Sequence, residues 1–302
     1  MSSSRIATRG LFGNAYLLLV LTTLGWGGNA VAGRLAVGEI SPLVLTTFRW
    51  VGVVVLVLLF ARRHLARDWP VLRQHLPFLI TLGALGFTGF NALFYVAAHS
   101  TVAINLGIIQ GAMPGFVLIG AYLAYRTPVT AVQMTGVVVT MIGVALVAVH
   151  GDLSQLKSLA FNDGDLLMVG ACVLYAGYTV ALRRRPAVSG LSMFSVLAIA
   201  AMVTSLPLLA VEAASGTLVW PTPTGWAVLS YVVFFPSFLS QVCFMRAVDL
   251  VGPGRAGLFV NLVPIFAATL GVIILGEQFE LFHAAALVLV LGGIWLAERR
   301  RA

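Results

Sequence analysis

Ten stretches of predominantly apolar residues leave this chain few ways to fold, because about 20 such residues are what a helix needs to cross the ~30 Å of a bilayer core. They run over residues 14–35, 41–61, 76–98, 101–124, 129–149, 164–182, 190–212, 224–248, 255–276 and 280–297. Connections between them are short, apart from 150–163 and 213–223. Of 302 residues 60% are hydrophobic and 9% charged, and the mean hydropathy is +1.01. A water-soluble domain of this length would need far more charge to cover its surface. The expected class is therefore an all-α integral membrane protein in the lipid bilayer.

A net charge of +8 could suggest nucleic acid, but the basic residues sit in short clusters between apolar runs, as membrane flanks do. No nucleic-acid partner is expected. With the N-terminus placed in the cytoplasm, alternate connections put fifteen arginines inside: Arg5, Arg9, Arg62, Arg63, Arg67, Arg73, Arg126, Arg183, Arg184, Arg185, Arg246, Arg255, Arg299, Arg300 and Arg301. Only Arg34 and Lys157 fall outside, together with most of the acidic residues. That bias predicts ten spans with both termini cytoplasmic. The first run has a partner in the second half, so it is read as a retained span rather than a cleaved signal. Trp69, Trp220, Trp226 and Trp295 fall near predicted ends, where indole rings anchor at the interface. Cys172 and Cys243 lie within apolar runs and read as packing residues rather than a disulfide.

The two halves repeat. At an offset of 150 residues Asn91 falls on Gln241, Ala97 on Ala247, Gly107 on Gly257, Pro114 on Pro264, Phe116 on Phe266 and Gly143 on Gly293. One residue of slippage places Trp26 on Tyr175 and Gly28 on Gly177. The reading is two five-helix repeats, 1–150 and 151–302, the second inserted upside down because five is odd.

Polar groups inside hydrocarbon are candidates for function. Thr88, Asn91, Tyr95 and His99 share one face of the third run. The residues expected to line a central cavity are Trp26, Asn29, Asn91, Tyr95, Gln110, Tyr175, Tyr178, Gln241 and Asn261. Rings and amides of this kind suit a small amphipathic solute. Arg49 lies too deep in the second run to be a flank; it either binds a substrate carboxylate or locks helices together. Gly111, Pro114, Pro236 and Pro264 are expected bending points for gating. The fifth and tenth runs are nearly all Val, Leu, Ile, Ala and Gly and read as lipid-facing scaffold. Metal-ligand spacings, phosphate loops and the HExxH, GxGD and GxSG signatures are absent, so no metal, no cofactor and no catalytic residue is expected and the chain is not read as an enzyme.

Leu24-Gly25-Trp26-Gly27-Gly28-Asn29, Ser41-Pro42 leading to Phe48-Arg49, and the run from Pro264 to Leu275-Gly276-Glu277 resemble the EamA family of the drug/metabolite transporter superfamily. Within it the chain looks most like the amino-acid exporters of the YddG type. The resemblance implies an inner-membrane exporter of amino acids, aromatic or broadly chosen, working by alternating access. It puts Trp26, Asn29, Arg49, Pro264, Gly276 and Glu277 in family-typical places, while Arg126-Thr127 stands where that family usually has Gly-Glu. Small multidrug relatives depend on a glutamate in the first helix, and this first run has none. A nucleotide-sugar carrier of the same fold is expected to show more basic residues than Arg49 in its cavity. The competing expectation is an interaction protein that dimerises through Gly107, Gly111 and Gly115; monomer or homodimer stays open.

Overall fold

A computed structural model describes residues 11–152 and 162–298, all-helical in outline. Arg5, Arg9, Lys157 and Arg299 to Arg301 of the charge count lie outside these residues. In chain order the helices are α1 Ala15–Leu35, α2 Pro42–Phe60, α3 Arg62–Leu72, α4 Leu76–Gly83, α5 Phe90–Ala97, α6 Ala103–Gly111, α7 Met113–Tyr125, α8 Ala131–Ala148, α9 Asp163–Ala181, α10 Gly190–Ala214, α11 Pro223–Val232, α12 Ser240–Val251, α13 Pro253–Val260, α14 Val263–Leu275 and α15 Leu281–Glu298. A π-helical turn, Ala84–Gly89, joins α4 to α5, and another, Val233–Leu239, joins α11 to α12.

Among the described residues eight helices are long and apolar enough to cross a membrane: Ala15–Leu35, Pro42–Phe60, Arg62–Ala97, Ala103–Tyr125, Ala131–Ala148, Asp163–Arg184, Gly190–Ala214 and Pro223–Val251. Two shorter apolar helices, Val263–Leu275 and Leu281–Ala297, cover the ninth and tenth runs. The ninth is short because the backbone breaks at Asn261–Leu262, just before Pro264, which has no N–H to continue the ladder.

The 150-residue offset holds at the level of single hydrogen bonds. Phe90 N–H reaches back five residues to Leu85 O, and Ser240 N–H to Phe235 O, so both π turns sit at matching places. Ala112 N–H donates to Ile109 O at 3.0 Å and Leu262 N–H to Phe259 O at 2.9 Å, each tightening the chain ahead of Pro114 or Pro264. Helices α7 and α14 both end in a left-handed residue, Arg126 (φ 52°) and Gly276 (φ 66°).

The second and seventh runs, the fourth and ninth, and the fifth and tenth pack against each other running antiparallel. Ser41 at the start of α2 meets Glu212 near the end of α10. The start of α6 meets Glu277, just beyond α14. Along α8 and α15, a Cβ on Gly143 would lie 3.0 Å from Ala286 O, and one on Gly136 would abut Ala297 and Gly293 at the other end. The fifth and tenth runs are therefore a glycine-lined contact on one face as well as a lipid-facing surface on the other, where Ile142 and Val288 are exposed. Gly107 and Gly111 are also used within the chain: they face Ala267 and Pro264 of α14, so the expected dimerising face lacks two of its three glycines.

One end of the bundle gathers acidic groups (Glu39, Asp165, Glu212 and Glu277) and the other gathers Arg62, Arg63, Arg126, Arg183 and Arg184. Trp69, Trp220, Trp226 and Trp295 are all exposed, and both cysteines are free and buried.

Candidate functional site

Arg49 sits on α2 about two turns from the helix start and is only 6% exposed. Its Nη1 donates to Asn91 Oδ1 at 2.5 Å, to the Tyr95 hydroxyl at 2.6 Å and to Asn29 Oδ1 at 3.5 Å. Tyr95 O–H in turn donates to Asn29 Oδ1 at 2.8 Å. Local backbone explains why Asn91 is free to accept. Its Nδ2 donates to Phe87 O at 2.6 Å, a carbonyl of the π turn, which orients Oδ1 towards the guanidinium. The cluster thus draws on α1, α2 and α5, with Asn29, Asn91 and Tyr95 buried.

Every acceptor around Arg49 is neutral. Among the described residues the one salt bridge is Arg67–Asp68, so no carboxylate pairs with this cation. Arg49 Nε is buried without a partner, and so is the neighbouring Trp50 Nε1. A buried cation lacking a counter-charge is costly, more so in a membrane. Aromatic faces offset part of that: the guanidinium carbon lies 5.2 Å from the Trp50 ring and 5.9 Å from that of Tyr95.

Those two rings are the ends of one continuous aromatic chain. Trp50 stacks on Phe87 (4.8 Å, 8°); Phe87 meets Tyr178, Tyr178 meets Tyr175, Tyr175 meets Phe90, and contact runs on through Phe94 to Tyr95. Tyr178 fits because Gly86, in the π turn, leaves room for its ring: a Cβ there would sit 2.7 Å from the tyrosine Cβ. The Tyr231 hydroxyl lies against Gly28, beside Asn29.

The structure thus brings Asn29, Arg49, Asn91 and Tyr95 together by hydrogen bonds and links Tyr175 and Tyr178 to them through rings. It sets Trp26 apart, bonding Pro236 O through its indole N–H at 3.1 Å and packing on Phe244. Gln110, Gln241 and Asn261 are half-buried and make no side-chain hydrogen bond among the described residues. Trp50, Phe87 and Tyr231 join the site without having been singled out in the sequence; for Trp50 the signal was adjacency to an intramembrane arginine. The proposed bending points fall where the backbone departs from α-helix: Gly111 and Pro114 flank the α6–α7 break, Pro264 follows the α13–α14 break, and Pro236 lies in the second π turn.

Towards the acidic end a cavity of about 560 Å³ is lined by Val37, Ile40, Ser41, Val96, His99 and Glu212, among others. His99 there is held below its ordinary value by burial and next by the charge of Arg34, with Glu212 opposing. Both Glu212 oxygens are engaged, Oε2 by Ser41 Oγ (2.7 Å) and Val44 N–H (3.1 Å) and Oε1 by Leu43 N–H (3.2 Å).

Antiparallel repeat-mates around a polar, ring-walled centre in an apolar bundle define a multi-pass membrane transporter. The chain belongs to the EamA-like transporter family, whose model matches residues 13–149 and again residues 162–298. Among its relatives, the uncharacterized transporter YyaM of Bacillus subtilis (strain 168) is 27% identical over 94% of this chain and 93% of that protein. YetK of the same organism, also an uncharacterized transporter, is 25% identical, over 93% and 86%. The uncharacterized inner membrane transporter YedA of Escherichia coli (strain K12) is 23% identical, over 95% and 90%. A crystal structure shares the fold at a TM-score of 0.64 with 19% identity, covering 94% of this chain and 96% of that one.

Proposed function

We propose that the protein is an inner-membrane exporter of small amphipathic metabolites, amino acids first among them, of the YddG type. It works by alternating access between two inverted repeats, 1–150 and 151–302, that cross the bilayer ten times with both termini in the cytoplasm. One observation carries the reading: a hydrogen-bonded group of amides, a tyrosine and a cation lies at mid-helix, walled by six further aromatic rings, in a chain whose outer faces are hydrocarbon. Amides and a cation bind the polar head of an amino acid, and rings pack its carbon skeleton. The π turns and the proline breaks, repeated in both halves, give each half the same places to bend, which is what exchange of two conformations between similar halves requires.

Counterflow in proteoliposomes over a panel of labelled amino acids and a cationic dye tests this. Amino acids, aromatic ones included, are expected to exchange, and Trp26→Ala or Tyr178→Ala to slow exchange while leaving gel-filtration behaviour unchanged. Dye uptake without any amino-acid exchange would overturn the amino-acid assignment in favour of drug export.

A further inference from the structure

We infer that Arg49 and Trp50 form a docking site for the carboxylate of the transported solute, so that an acidic head is what the carrier selects. This rests on the reading of the chain as a carrier and adds the chemical class of the solute.

Three observations converge. First, Arg49 spends one nitrogen on the protein: Asn29, Asn91 and Tyr95 all accept from Nη1, and nothing accepts from Nε. A guanidinium binds a carboxylate through paired N–H groups on one edge, and here the edge that includes Nε is left over while Nη1 fixes the side chain. Second, the adjacent Trp50 carries another buried N–H with no acceptor, although its ring is 3% exposed and stacked on Phe87. Two orphan donors on consecutive residues, with no anion among the described residues to meet them, lack acceptor oxygens. A ligand carboxylate supplies two. Third, the helices that carry the cluster also line the cavity at the acidic end. Pro42 is seven residues from Arg49 on α2, roughly 10 Å at 1.5 Å per residue. His99 is about one turn beyond Tyr95, and Val37 about two turns beyond Asn29. Glu212 at that cavity does not compete for Arg49, because its oxygens are bound by the start of α2.

Occupation needs no bond made or broken except hydrogen bonds. The carboxylate accepts from Arg49 Nε–H, with Trp50 Nε1–H as the neighbouring donor, and the rings of Phe87, Tyr178 and Tyr175 take the apolar remainder.

The test uses three solutes that share a phenethyl group, phenylalanine, 3-phenylpropionate and phenethylamine, with the full chain in proteoliposomes. Binding is read by ligand-dependent thermal stabilisation and transport by counterflow. Both acids are expected to bind roughly 10- to 100-fold more tightly than the amine, the range for a hydrogen bond to a charged group, and to exchange correspondingly faster. In Arg49→Gln that preference is expected to disappear; Arg49→Lys keeps the charge without the fork and recovers part of it. Wild-type protein decides by itself if the variants do not fold. Amine bound as tightly as the acids leaves Arg49 a helix lock and overturns the inference while the carrier stands. No exchange of any of these solutes or of any amino acid in the panel overturns the carrier reading itself, and this inference with it.

Discussion

At the scale of single residues, the cluster around Arg49 is held by a chain of consequences that begins in the backbone. Phe87 O, in the π turn, accepts from Asn91 Nδ2 as well as from the Phe90 N–H, and the amide is thereby turned to face the guanidinium. Asn91→Leu is expected to remove a side-chain donor from Phe87 O, which keeps the Phe90 N–H, and a charge-assisted acceptor from Arg49. The loss of the bond to the charged guanidinium should destabilise the protein by roughly 1.5–3 kcal/mol. Gln110→Leu, at a half-buried residue with no side-chain bond among the described residues, should change stability by less than about 0.5 kcal/mol. Unfolding curves of the two variants in detergent check this, and equal effects would contradict the network. Asn91, Tyr95 and Arg49 were each visible in the sequence as polar residues in apolar runs. Their pairing was not. Arg49 finds its partners 20, 42 and 46 residues away, a distance over which helical periodicity says nothing about contact. Gln110, Gln241 and Asn261 satisfied the same sequence criterion as Asn91, and only the third dimension separates them from it.

At the scale of elements, helices are clasped to their repeat-mates by carboxylates at helix starts. Glu277 accepts from Ala103 N–H at 2.8 Å and Ile104 N–H at 3.0 Å, and Glu212 does the same for α2. At the arginine-rich end Asp68 of α3 accepts from Ser189 N–H at 3.1 Å, at the start of α10. Glu212 of α10 thus caps α2 and Asp68 of α3 caps α10, whereas Thr127, at the place matching Glu277, offers no carboxylate. Asp68 is kept well below the usual carboxylate range first by Arg67, then by Ser192 and Ser189. Its native value is depressed, so its contribution to stability is complete above the unfolded value of 3.8 and is lost as the pH falls below that. Asp68→Asn should therefore melt below wild type at pH 7, and the gap should narrow as the pH is taken under 3.8. A constant gap would show that the aspartate acts by packing alone. The helix of the third run begins at Arg62 rather than 76 and the ninth run breaks before Val263, but most helix ends are legible because hydropathy changes sharply there. The π turns are not, since the two halves build them differently: Gly83, Gly86 and Gly89 surround the first, Pro236 and Ser237 the second. Ser237 Oγ meets Val232 O, which a proline four residues on cannot reach. Helix α3, basic and amphipathic, reads in the sequence only as a flank.

At the scale of the whole molecule, the antiparallel pairing of repeat-mates fixes which connections share an end, and that makes the orientation testable. His150 and Ser215 belong to the acidic end; Arg63 and Arg184 belong to the opposite one, and all four are exposed. Opposed starts of α2 and α10, and of α8 and α15, fit halves that enter the bilayer from opposite sides, as the proposed ten crossings require. On the proposed orientation, with the arginine-rich end in the cytoplasm, the acidic end faces outward. His150→Cys and Ser215→Cys are expected to react with a membrane-impermeant maleimide added to intact cells, while Arg63→Cys and Arg184→Cys react only after permeabilisation. The native Cys172 and Cys243 are buried and should give little background. Swapping the two groups wholesale would invert the protein but keep its architecture and reverse the direction assigned to transport. Labelling of His150→Cys and Ser215→Cys from opposite sides would break the repeat relation itself, and with it any mechanism in which the halves exchange roles around Arg49.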